Sequence, residues 1–430
     1  MDIGIIVFVI CMSVIGASVG MFSGLVPGIH VNTLASLMLI AYPFIESCIS
    51  VFADQSYVPI LLSACIVSAS VVHSFVSYVP SVFTGVPDQD NVMSMLPGHR
   101  LLLEGRGMAA VRAAAIGSII GAMSAVAVAI PLQYLMINGL RGYLDGITSV
   151  ILLMAVVALI LSERSPKKWG LAAALIAISG IMGSICMFSP IPYRGLIMDG
   201  TLLFPLLTGL FGIPVLISSP PDAEIPHQID DNEHPVTSAP GFKGVLTGSI
   251  VGWFPGITAT AGAAFTRMFV DEKSAERYIA LVSSIGTAST VFALITLSVS
   301  GKSRTGTMAV VREIIGTDMS GVGNWIFILM LLSVAIASLI GYLATIRSGK
   351  IMARMISHVN IRKMNGAIIV LIVALVVATT GAWGIFVLII SALIGMIPIG
   401  AGTGRVHLSG CLLVPVILMQ FNLDSVFLSL

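Results

Sequence analysis

Apolar stretches of about 18 residues or more, the length needed to cross a hydrocarbon core of about 30 Å, recur from residue 3 almost to the end of this chain. That single feature excludes most folds. In lipid every backbone N–H and C=O must be bonded internally, so such a chain is restricted to helices or a closed barrel, and runs this long read as helices. Composition agrees: 57% of the 430 residues are hydrophobic, 10% are charged and the mean hydropathy is +1.04. The reading is an all-α polytopic membrane protein with no large soluble domain.

Uninterrupted apolar runs fall near 3–22, 31–53, 58–79, 108–137, 146–161 and 170–187, then near 201–218, 241–270, 279–299, 322–345, 364–384, 385–399 and 408–426. Several are short or broken by Gly and Pro, so about 10–12 transmembrane segments are expected. The N-terminus, Met-Asp-Ile-Gly, lacks the basic region of a cleaved signal peptide. Five cysteines without CxxC spacing read as small packing residues rather than disulfides or metal ligands. The formal charge of +1 gives no reason to expect nucleic acid. The cationic segment 346–363, mixing Met, Ile and Arg, reads as an interfacial helix.

A repeat organises the rest. GMFSGLVPGIHVNT (20–33) aligns without gaps to GSIVGWFPGITATA (248–261), matching Gly20, Gly24, Pro27, Gly28 and Ile29 with Gly248, Gly252, Pro255, Gly256 and Ile257. Met108-Ala-Ala-Val-Arg112 is echoed by Met308-Ala-Val-Val-Arg312 after it. The expected organisation is a first membrane repeat at 1–161, linking helices and a polar loop at 162–240, and a second repeat with C-terminal helices at 241–430.

The positive-inside rule gives the two repeats opposite orientations. With 162–169 and 346–363 cytoplasmic, 80–107, 219–243 and 271–278 also fall inside, and these five regions hold thirteen Lys and Arg, against Arg141, Arg194, Lys302, Arg304 and Arg312 outside and Arg112, Arg267 and Arg405 unassigned. Inverted repeats with broken or re-entrant helical hairpins at the Pro-Gly motifs are a pattern of secondary transporters.

A Pro-Gly break frees backbone groups that survive in a membrane only beside a polar cavity. The helix restarting after it turns a partial positive charge toward the break, and the natural guest is an anion. The expected substrate site is therefore Pro27, Gly28, His30, Asn32 and Thr33 with Pro255, Gly256, Thr258 and Thr260. His30 is also a candidate proton carrier. The competing reading is that Asn and Thr only cap the restarting helices. His73 and Glu46 are further polar candidates within apolar runs, and Arg405, in GAGTGRVH (400–407), lies at another close-packed break. Gly301-Lys302-Ser303 lacks the upstream glycine of a phosphate loop, and no HExxH or GxSxG site is present, so an ATP-driven pump or an enzyme is not indicated.

These motifs resemble the large permease subunit (TctA) of the tripartite tricarboxylate transporters. The resemblance rests on residues 20–44 and 248–265, on MLPGHRLLLEGRGMAAVRAAAIGS (95–118) and on LLTGLFGIPVLI (206–217). It implies cation-coupled uptake of organic anions, with Na⁺ or H⁺ as coupling ion and no organic cofactor. It also implies a small membrane subunit and a periplasmic solute-binding protein as partners. This chain departs from the family's Gly-, Asn- and Ala-rich segments at VVHSFVSYVPSVFTGVP (71–87) and SSIGTASTVFAL (283–294). The expected function is secondary active transport of a carboxylate-bearing anion by alternating access in the cytoplasmic membrane, with a homo-oligomer compatible with it. The alternatives are a polyprenyl or lipid-phosphate carrier, which also uses paired broken hairpins, and an intramembrane lipid- or peptide-processing enzyme.

Overall fold

A computed structural model describes residues 3–26, 31–85, 92–161, 163, 165–188, 193–196, 201–218, 225–229, 238–254, 259, 262–263, 266, 270, 272, 274–356 and 361–424. The helices are α1 (Ile3–Leu25), α2 (Val31–Ile40), α3 (Tyr42–Ile49), α4 (Val58–Val76), α5 (Tyr78–Thr84), α6 (Val92–Leu103), α7 (Gly107–Leu135), α8 (Arg141–Leu161) and α9 (Pro166–Phe188). They continue with α10 (Leu203–Leu207), α11 (Ile213–Ser218), α12 (Ala239–Trp253), α13 (Ala275–Ser300), α14 (Gly306–Ile315), α15 (Trp325–Ile356), α16 (Ile361–Ala401) and α17 (Gly410–Gln420). No strand occurs among the described residues. Seven helical stretches among them are long and apolar enough to cross a membrane, and the protein is a polytopic α-helical membrane protein.

One stretch, Gly107–Leu161, is 55 residues long and bends at its centre. There Asn138 and Gly139 leave helical geometry, Gly139 at φ +121°, a value that glycine alone adopts without strain. The two apolar runs expected over 364–399 are one helix, α16, kinked at Gly381 (φ +62°) beside the Arg194 carbonyl. The interfacial helix expected at 346–363 is corrected as far as Ile356: these residues extend α15. Thr345, Gly349, Ala353 and Ile356 form its buried stripe, while Arg347, Lys350 and Arg354 take the exposed side. The spacing of that stripe is the helical repeat of a packed span, and the charges lie across from it.

Without a hydrophobic drive between helices in lipid, packing falls to small residues and interhelical hydrogen bonds. In α1, a side chain at Gly16 or Gly20 would collide with the Cys65 or Ala69 carbonyl of α4. In α12, Gly244, Gly248 and Gly252 pack the same way on Leu281–Ser284, Ile285–Ala288 and Ser289–Phe292 of α13. The last glycine of each row meets the same three atoms at matching positions. A Cβ on Gly24 would lie 3.1 Å from Val76 Cβ and 3.2 Å from both His73 O and Ser77 N. On Gly252 it would lie 2.4 Å from Phe292 Cβ, 2.9 Å from Ser289 O and 3.1 Å from Ala293 N.

Each pair then receives a helix from the other half of the chain. α7 lies on α13 through Gly117 and Gly121, and α15 lies on α4 through Gly341 against Phe75. The result places α4 and α13 innermost, their apolar windows 100% and 94% buried. Hydroxyls staple the pairs: Ser68 donates to the Ser13 carbonyl (2.5 Å), Ser284 to Gly241 (2.6 Å), Thr296 to Gly252 (2.9 Å) and Thr287 to Ser118 (2.9 Å).

The remaining helices, α8 to α11 with α16 and α17, pack mainly with one another. Here too glycine makes the closest approaches, Gly183 against Cys411, Gly410 against Ile176 and Gly395 against Leu210.

Candidate functional site

The two innermost helices follow the two Pro-Gly motifs in sequence, and their facing surfaces are polar. Ser74 Oγ of α4 lies 3.3 Å from Thr290 Oγ1 of α13. One turn earlier on α4, Ser70 Oγ lies 3.4 Å from Thr307 Oγ1 at the start of α14, which in turn lies 3.0 Å from Thr305 Oγ1. Beside them the buried His73 ring meets Ser23 Oγ of α1 at 2.9 Å through Nδ1. Tyr78 places its hydroxyl close to Gly286, 3.7 Å from where a Cβ would stand. A larger residue than glycine at 286 would fill that space.

Hydroxyl bookkeeping limits what this seam can do. Ser74 donates to the Ser70 carbonyl (2.9 Å) and Thr290 to the Gly286 carbonyl (3.1 Å), each four residues back in its own helix. A hydroxyl whose proton is so used presents lone pairs across the seam. Oxygen lone pairs suit a cation, whereas backbone N–H groups at helix starts suit an anion.

Asn32 is the one predicted site residue whose side chain the structure describes. Its Oδ1 accepts from the Thr307 amide at 3.0 Å, so the segment after the first Pro-Gly is tied to the first turn of α14, and Gly306 makes room for the carboxamide. Thr33 follows it in α2, its side chain outside the description. Pro27, Gly28, His30, Pro255, Gly256, Thr258 and Thr260 lie outside the described residues. Of the other sequence candidates, Glu46 accepts from Gln55 Nε2 (3.0 Å) at an exposed position and has no part in the seam.

Sequence reading passed over Ser23, Ser70, Ser74, Thr290, Thr305 and Thr307. Serines and threonines in membrane helices are ordinary packing residues, so only the crossing of α4 with α13 separates these from the rest. The available signal was that 71–87 and 283–294, the segments departing from the family pattern, are the ones that meet.

One end of the seam carries fixed charge. Arg106, before α7, pairs with buried Glu276 of α13 at 2.7 Å. In the preceding loop Glu272 binds Lys243 (2.9 Å) and Arg277 (2.6 Å). Burial alone would raise its carboxyl, but these two cations outweigh it and hold the group below the usual carboxylate range.

The class these features define is a multi-pass helical membrane protein with a polar seam between its two most buried helices. The chain belongs to the Tripartite tricarboxylate transporter TctA family, whose profile matches residues 10–409. It is therefore a transporter permease rather than an enzyme. It is also similar to the uncharacterized protein MJ1079 of Methanocaldococcus jannaschii, at 24% identity over 413 residues covering 94% of this chain and 97% of that protein. No solved structure matches the chain.

Proposed function

We propose that this permease moves a carboxylate-bearing anion across the cytoplasmic membrane by cation-coupled alternating access, with the substrate held where the two halves meet. The observation that carries the reading is the Ser74–Thr290 contact, which joins the helices that follow the two Pro-Gly motifs through polar groups at the centre of the fold. The matched glycine contacts of α1 on α4 and of α12 on α13 support two structurally related halves, which we take to be inverted in the membrane.

In this reading the restarting helices at Pro27-Gly28 and Pro255-Gly256 offer N–H groups to the anion, aided by His30, Asn32, Thr33, Thr258 and Thr260. The seam oxygens, or His73, take the coupling ion, Na⁺ or H⁺. The family's tripartite character supports a small membrane subunit and a periplasmic solute-binding protein as partners.

The test is saturable binding of radiolabelled citrate and succinate to the purified protein, and their uptake into proteoliposomes under imposed Na⁺ and pH gradients. Expected is binding and accumulation that a His30→Ala, Asn32→Ala, Thr258→Ala, Thr260→Ala variant loses. Undiminished transport in that variant removes the site, and no saturable binding of either acid by the wild type removes the substrate class.

A further inference from the structure

A second polar site lies away from the seam, at the turn joining α16 to α17. Gly404 is extended there (φ −65°, ψ 129°), with Thr403 and Arg405 on either side of it in the chain. Both carry a buried donor without a hydrogen-bond partner, Thr403 Oγ1 and Arg405 Nε. The guanidinium makes one hydrogen bond, Nη2 to the Phe211 carbonyl at 2.7 Å, and no carboxylate pairs with it among the described residues. That carbonyl belongs to a π-helical turn, Thr208–Gly212, between α10 and α11, a local geometry that recurs at functional sites.

The carboxylate that reaches this turn is already engaged. Glu163 Oε1 takes the Gly404 amide (2.8 Å) and His407 Nε2 (2.9 Å), on a histidine with no exposed surface. Lys168 completes the frame by donating to the Gly402 carbonyl. A guanidinium with a buried, unpaired N–H and no counter-charge costs free energy unless an anion reaches it. Arg is also the side chain best shaped to hold an oxyanion through two parallel donors.

We infer that Thr403 and Arg405, braced by the Phe211 carbonyl and the Glu163–His407 pair, form a second anion site for a carboxylate or phosphate group. The donors fit either a phospholipid headgroup or a free oxyanion, and the experiment separates these sources.

The test is thermal unfolding of the full-length protein in phosphatidylcholine nanodiscs, with inorganic phosphate added or with phosphatidylglycerol replacing part of the lipid. Wild type is expected to gain a few degrees with at least one probe. Phosphatidylglycerol alone would assign the site to a lipid headgroup, and inorganic phosphate would assign it to a free anion. Arg405→Met is expected to start at or above the wild-type midpoint in phosphatidylcholine, having lost a half-buried charge with an unpaired donor, and to gain nothing from either probe. Arg347→Gln, which removes an exposed cation of α15, should keep the full shift. Thr403→Val, expected to lose at least half the shift, gives the same readout if Arg405→Met does not accumulate. The inference is overturned if wild type shifts with neither probe, or if Arg405→Met or Thr403→Val shifts as far as wild type.

Discussion

The helices around α4 and α13 and those around α16 use the same packing device but differ in how they settle their polar groups. In both, glycines bring backbones together, Gly16 and Gly20 along α1 in one and Gly183 of α9 and Gly410 of α17 in the other. Around α4 and α13, hydroxyls such as those of Ser68, Thr287 and Thr296 are satisfied by carbonyls of the neighbouring helix, and where charge occurs, as in Arg106 and Glu276, it is paired. At the α16–α17 turn, charge is concentrated in Glu163, Lys168 and Arg405, and one guanidinium is left with an unpaired donor. The difference teaches that burial in a membrane protein tolerates many weak polar groups without a ligand, whereas a single charge asks for one.

The comparison is broken most severely at the glycines. Gly20→Val, which drives a branched side chain into the Ala69 carbonyl, and Gly183→Val, which does so at Cys411, should each cost about 3 kcal/mol or more and sharply reduce the yield of folded protein. Gly366→Ala, with nothing within 4 Å of the added carbon, should leave the melting curve unchanged. Fluorescence-detected gel filtration with a thermal ramp would show whether both positions are equally intolerant.

Function should separate the regions where stability does not. Ser74→Ala with Thr290→Val is expected to lower solute uptake by about tenfold, about 1.4 kcal/mol, while membrane hydrogen bonds of this kind are worth only about 0.6 kcal/mol in stability. Ser391→Ala, in α16, removes hydroxyl bonds to the Val387, Leu388 and Pro205 carbonyls and should leave uptake unaffected. Equal losses in both variants would erase the distinction between seam and surround.

A smaller effect is expected at Asn32, whose oxygen holds the Thr307 amide. Asn32→Ala should cost about 1 kcal/mol of thermal stability, the usual worth of a helix cap. A loss of uptake much larger than that implies would mean that the carboxamide also meets the solute.

The smallest effect is acid sensitivity. Because Glu272 titrates below its ordinary value of 4.5 in the folded protein, its contribution is fully present above that pH and is lost as pH falls through the lowered folded value. Its partners are 46% and 40% exposed, so solvent limits the pair to about 1 kcal/mol or less. Glu272→Gln should flatten the stability-against-pH curve below pH 4.5, and an unchanged curve would show the ion pairs to be without weight.

Much of the fold was legible in the chain itself. Apolar run length specified membrane helices, because a backbone in lipid has few ways to bond itself, and the Gly-rich rows ending in Pro-Gly marked the helices that pack closest. What sequence could not supply was which of many Ser and Thr residues face one another. His73 was visible as a costly polar residue in a span, whereas Ser74 and Thr290 became a pair only once α4 crossed α13. The charged segment after Gly349 misled for a related reason: its helical stripe could bury against α7 or lie on the membrane surface, and only the Val111 and Met108 contacts decided between them. Arg405 lacked any local sign of being uncompensated, since whether a carboxylate reaches a guanidinium depends on chain segments hundreds of residues apart. Sequence alone determined the medium, the helical content and the duplicated Pro-Gly motifs, because these follow from local hydropathy and from the chain itself. Tertiary structure alone decided which polar groups are paired, because pairing is a property of distance in space.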